Sequence, residues 1–177
     1  MLDKVLSGIQ DNTKTKEIQT QVISPGKMNI QPCQGCFNCN KEGKCVIQDA
    51  MQQLYKDLDE ADIIIISSPI FFNSVSAQLK SMIDRCQAIW GSKYEAKNSI
   101  IDRDKKRLGF LLACGGSKFY EEQFVAARNV IDMFFKVTNT EQQGEIVISN
   151  TDEKDVIERE DILGKAYQAG KELISNF

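Results

Sequence analysis

Histidine is absent from these 177 residues, and that gap closes off much of enzyme chemistry. Without an imidazole there is no Ser–His–Asp or Cys–His nucleophile, no HExxH zinc site and no Rieske-type iron ligation. Long hydrophobic runs are missing too. The longest, Ile63 to Ile66, falls far short of the roughly 20 residues a membrane span needs. Nothing at the start has the charged, apolar, then small-residue order of a signal peptide. The expectations are a cytoplasmic location and no membrane partner. A net charge of −3 supplies no basic field, so nucleic acid is not expected as a partner either. With no candidate catalytic side chain in view, a cofactor must carry any difficult chemistry.

What is present is ordinary globular material: 42% hydrophobic and 27% charged residues, in a length that suits one domain, 1–177. Leu2, Val5, Leu6 and Ile9 fall at helical spacing, so the chain opens inside a helix. Segment 17–23 alternates and predicts a strand closed by Ser24-Pro25-Gly26. A Cys-, Gly- and Asn-rich loop fills 31–48, and Asp49 then caps a helix to about Glu60. The β-branched run 62–67 predicts a parallel strand covered on both faces, ended by Pro69. A helix over 76–89, a buried strand over 108–114, a helix over 120–135, a short strand over 145–149 and a terminal helix over 155–177 follow. This alternation predicts a doubly wound parallel sheet in three α/β/α layers, with the ligand at the carboxyl ends of its strands.

Four of the six cysteines sit together as CQGCFNCNKEGKC, residues 33–45. The spacing C-x2-C-x2-C-x5-C lets Cys33, Cys36, Cys39 and Cys45 surround a 4Fe–4S cube from one loop, much as the compact ferredoxin run does. An empty or redox-active thiol site is a second reading. Structural zinc is a third, though zinc sites usually pair two distant CxxC hooks. Cys86, on the inner face of a helix, reads as a small hydrophobe. Cys114 ends a strand beside Gly115 and Gly116.

Residues 67–90 combine a strand end, a proline turn, two aromatics and a helix start. Pro69 fixes the turn, Phe71 and Phe72 could shield a flat ring, and Ser74 and Ser76 could meet its polar edges. A helix cap with core aromatics is the simpler alternative. The charge run Arg103-Asp104-Lys105-Lys106-Arg107 could attract an acidic carrier or a phosphate. A solvated turn before a buried strand is the favoured reading of it.

Three motifs together resemble a known family. SPIFFNSVSAQLKSMIDR (68–85) is similar to the SPxYFxxxSAQLKxxIDR signature of NAD(P)H-dependent FMN reductases in the flavodoxin superfamily. PCQGCFNCNKEGKCVIQDAM (32–51) resembles the cysteine segment of that superfamily's iron–sulfur flavoproteins, and LLACGGSK (111–118) resembles its later glycine-rich turn. The resemblance implies a flavodoxin-like fold and FMN contacts from Ser68, Pro69, Ile70, Phe71, Phe72 and Ser74, with Gly115 and Gly116 approaching the ring. It also implies a 4Fe–4S cluster on Cys33, Cys36, Cys39 and Cys45. The function implied is an FMN-dependent oxidoreductase passing electrons between flavin, cluster and a soluble partner such as a ferredoxin or NAD(P)H, in a homodimer or homotetramer. A cluster-free FMN or quinone reductase and a non-catalytic flavodoxin-like subunit are the alternatives.

The chain departs from the family at its start. Met1 already stands inside the first helix, so the family's first strand and its Ser/Thr/Gly-rich phosphate loop are not in this sequence. Either the natural protein is longer, which is the favoured expectation, or the sheet closes another way. That other way would be direct pairing of 17–23 with 62–67, or a segment swapped from a partner.

Overall fold

The computed structural model describes residues 1–13 and 17–177. It opens with α1 (Leu2–Asn12), whose Val5, Gly8 and Ile9 turn inward at i, i+3 and i+4 spacing. The cysteine-rich stretch contains a short helix, α2 (Asn38–Glu42), and leads to α3 (Met51–Glu60). There follow β1 (Ile63–Phe71), β2 (Ser74–Val75), α4 (Ala77–Arg85), α5 (Gln87–Trp90) with a π-turn at Gly91–Glu95, β3 (Arg107–Cys114), α6 (Val125–Val137), β4 (Thr140–Ile148) and α7 (Glu160–Ser175).

Among the described residues the sheet has four strands in the order β2-β1-β3-β4. β1, β3 and β4 run parallel, and β2 returns antiparallel against the end of β1. The two faces of the sheet are read off single strands. Ile64 and Ile66 of β1, with Leu111 and Ala113 of β3, pack under α3, α4 and α6. Phe110 and Leu112 pack on the opposite face under α1 and α7, where Ile63 and Ile65 join them. This is a flavodoxin-like α/β architecture in three layers. No helix among the described residues is long and apolar enough to cross a membrane.

Several expectations need correction: the helix expected over 120–135 starts only at Val125, the strand expected over 145–149 starts already at Thr140, and the terminal helix starts at Glu160. Segment 17–23 is not a strand. Ile18 reaches the α1/α7 face and Ile23 the opposite face, but the segment joins no strand ladder among the described residues, and in particular none with 62–67. Extended backbone forms a ladder only when a partner lies directly alongside. Pro69 does not end its strand, because β1 runs on to Phe71. Leu108 N–H donates to Asp62 C=O, so alternate residues Asp62, Ile64, Ile66 and Ser68 face β3. Ile63, Ile65, Ser67 and Pro69 therefore face the other edge, where a missing N–H breaks no ladder. The helix expected over 76–89 breaks at Cys86 and continues as α5.

The basic run ends in structure. Arg107 is fully buried at the amino end of β3, donating to the carbonyls of Leu58, Thr138, Lys105 and Asp59 and to the Asp59 carboxylate. It welds α3 to the sheet at the end opposite the glycine-rich turn.

Candidate functional site

Two loops leave the carboxyl ends of adjacent parallel strands, where Ser68 stands beside Ala113 and Pro69 beside Cys114. The first is a two-residue hairpin. Phe72 (φ 49) and Asn73 (φ 63) are both left-handed, as a type I′ turn requires, and Asn suits that region better than Phe does. The hairpin pushes Phe71 (60% exposed) and Phe72 (fully exposed) into solvent. Asn73 is held from α6 by the Ala127 N–H, 3.1 Å from its carbonyl, and from the second loop by the Tyr120 hydroxyl. Ser68 is buried. Its hydroxyl donates to Pro69 C=O (2.8 Å) and accepts from Ser76 N–H (3.1 Å). Ser76 in turn caps α4 through Leu79 N–H.

In the second loop Gly115 is buried and Gly116 half-buried. Gly115 N–H donates to Ile148 C=O, and the carbonyls of Gly115 and Gly116 accept from Thr151 and Asp152 N–H. The Asp152 carboxylate lies against the face of Gly116 where a Cβ would stand, and Gln123 covers Gly115 in the same way. Pro69, Ile70, Phe71, Phe72 and Ser74 therefore stand at one rim with Gly115 and Gly116 on the neighbouring strand end. Ser68 lies beneath them with its hydroxyl already engaged. Tyr120, Asn73, Gln123 and Asp152 were not singled out by sequence. Their roles depend on contacts between distant loops, which leave no local pattern.

The cysteine loop lies at the other end of α4. Cys33, Cys36, Cys39 and Cys45 all line one pocket, together with Phe37, Ile47 and Arg85. Gly35 (φ 64) and Gly43 (φ 70) take the left-handed turns that let the loop curl, and Gly43 closes α2 through the Cys39 carbonyl. Cys33 and Cys36 are exposed, Cys39 is buried and Cys45 intermediate. Among the described residues no three Cys, Asp or Glu side chains are gathered as a single metal ion would require. The loop offers a wide four-thiol mouth. Burial pushes the Cys39 thiol up, and ionised Cys45, Cys33 and Cys36 would push it further. Four thiolates here therefore need positive charge among them.

Beneath this mouth lies a buried ion pair. Asp49 and Arg85 have fully buried side chains 2.6 Å apart. Burial opposes charge on Asp49, yet the Arg85 guanidinium and the N–H groups of Gln31 and Met51 outweigh it and hold the carboxyl below its usual range. Arg85 also donates to the carbonyls of Gln31 (2.8 Å) and Ile47 (3.3 Å), one on each side of the cysteines. Sequence treated Asp49 as a helix cap. It does accept from Met51 N–H at 3.0 Å, but both of its oxygens also accept from Arg85. Cys86, wholly buried and pushed up to about 12 by burial, is inert core. Burial also raises Cys114.

Comparison with known proteins matches residues 2–142 to the NADPH-dependent FMN reductase family. The chain belongs to this family. Within reach of it, an iron-sulfur flavoprotein of Methanocaldococcus jannaschii is 44% identical over 72 residues, covering 41% of this chain and 37% of that protein. A second from the same organism is 34% identical over 123 residues, covering 68% of this chain and 58% of its own. The chain thus spans 37% and 58% of the length of these two relatives. Among solved structures, an NAD(P)H:quinone oxidoreductase from Methanothermobacter marburgensis superposes with a TM-score of 0.63 at 16% identity, over 97% of this chain and 86% of that one. An azoreductase from Bacillus anthracis gives 0.61 at 13% identity, over 99% and 89%. At such identities the likeness is one of fold. The family match spans both loops at the carboxyl ends of β1 and β3 and the cysteine loop between α1 and α3.

Proposed function

We propose that this chain is an FMN-dependent oxidoreductase of the iron–sulfur flavoprotein type. The observation that carries this reading is the convergence of all four cysteines on one pocket, at the end of the helix whose start is the flavin-type loop. The donor chemistry fits a cluster: four thiols and no competing carboxylate line the pocket, with one buried cation beside them. Cys33, Cys36, Cys39 and Cys45 would hold the cluster, and FMN would rest on the rim formed by Pro69, Ile70, Phe71, Phe72, Ser74, Gly115 and Gly116, with Ser68 bracing it from below. Bound flavin supplies two-electron exchange and a bound cluster one-electron steps.

The chain's own residues do the placing. Phe71 and Phe72 offer apolar faces that cover a flat ring and keep water from it. Ser68 ties the end of β1 to the cap of α4, so the hairpin cannot drift from the helix. Asp49 and Arg85 hold the cysteine loop closed. A reduced pyridine nucleotide or a ferredoxin would be the external electron partner, and a second subunit would cover the exposed aromatics Phe71, Phe72 and Phe119.

Anaerobic purification followed by an ultraviolet–visible spectrum with iron and FMN quantification tests the reading. It should show flavin bands, a broad cluster absorption and about four irons per chain. Cys33→Ser should remove the iron and leave the flavin. Iron-free protein that reduces FMN with NADPH at full rate would instead establish a cluster-free FMN reductase.

A further inference from the structure

Arginine carries five N–H donors in a fixed planar fork. In Arg85, Nη1 donates to Gln31 C=O and Asp49 Oδ2, and Nη2 to Ile47 C=O and Asp49 Oδ1. Four N–H groups are therefore used. The fifth, on Nε, is buried and has no partner among the described residues. A buried donor left unsatisfied is costly, so a native orphan of this kind calls for an unseen acceptor. Arg85 lines the same pocket as the four cysteines, and their sulfurs, with the amide groups of Gln34 and Gln87, are the side-chain acceptors around it. The carbonyls it grips, Gln31 and Ile47, bracket the cysteine run from both sides.

We propose that Arg85 is the positioning residue of the cysteine site. Four of its N–H groups, with Asp49, clasp both ends of the cysteine loop, and its Nε–H donates to sulfur within the pocket. The second part rests on the reading of that pocket as a cluster site. The clasp serves the loop before any metal arrives. The Nε–H and the guanidinium charge act afterwards, because hydrogen bonds to cluster sulfur and nearby positive charge raise a cluster's reduction potential. Lysine cannot replace this arrangement, since an ammonium has neither the fork nor the extra in-plane donor.

Arg85→Lys is the test, with Asp49→Asn beside it and circular dichroism to confirm that both fold. In reduced, metal-free protein, alkylation of Cys39 and hydrogen exchange over 31–48 should accelerate about tenfold or more in both variants. After anaerobic loading with iron and sulfide, redox titration should place the Arg85→Lys cluster lower than wild type by about a tenfold change in equilibrium constant, ~59 mV for one electron. Wild-type loop exchange in a folded Arg85→Lys variant overturns the clasp. An unchanged potential overturns the Nε–H donation. A wild-type chain that takes up no iron overturns the cluster reading and the donation with it, while the metal-free arm still decides the clasp. Should neither variant fold, 15N-arginine spectra of the wild-type chain decide. One Nε–H must exchange slowly and shift on cluster loading, and its exchange at the rate of exposed arginines overturns the proposal.

Discussion

Asp49 and Arg85 show how much one buried pair can hold. Removing one partner of such a pair leaves a stranded charge and typically costs about 3–5 kcal/mol. Asp49→Asn should therefore lower the unfolding free energy obtained from urea titration by that amount, far more than loss of an exposed ion pair such as Lys136–Asp132 would. The pair also sets an acid limit. Asp49 titrates lower folded than unfolded, so its contribution is complete above the ordinary carboxylate range and is lost as pH falls through the folded value. Acid titration of stability should show this loss in the wild type and a flatter profile in Asp49→Asn. The four cysteines were legible because one short run carries all of them. Arg85 was not, because its partners lie 36 and 54 positions away and no periodicity links them.

Elements repeat the lesson at larger size. β1 and β3 were readable as unbroken apolar runs, while β4 extends to Thr140 through exposed Glu141, Gln142 and Gln143, which carry no buried-strand pattern. Helix α1 meets α7 backbone to backbone. A Cβ on Gly8 would collide with the Tyr167 carbonyl, and one on Gly170 with the Val5 carbonyl. Alanine is the better helix former by about 1 kcal/mol, yet here its methyl would meet main chain that cannot rotate away. Gly170→Ala should thus destabilise by about 1–3 kcal/mol, read as a fall in thermal midpoint. A rise would mean that α1 and α7 are less closely packed than described.

At the scale of the whole sheet, most of the outer edge of β1 has no strand partner among the described residues. Ile63, Ile65 and Ser67 turn their amides to the outer edge of β1, which β2 covers only at Ile70 and Phe71, while Ile64, Ile66 and Ser68 turn theirs to β3. Hydrogen exchange along β1 should alternate, faster at 63, 65 and 67. Uniform protection would show that something occupies that edge in solution. Helices cover both faces of the sheet. Helix α4 joins two loops, with Ser76 of the flavin-type hairpin at its head and Arg85 of the cysteine pocket at its foot. Nine residues span about 13 Å, so the two sites share a rigid axle. A single inserted residue would turn one end about 100° against the other, leaving each site intact yet out of phase. Four inserted residues would bring the ends nearly back into register. Spacing along this helix is thus a mechanical constraint on evolution, separate from the chemistry at either end.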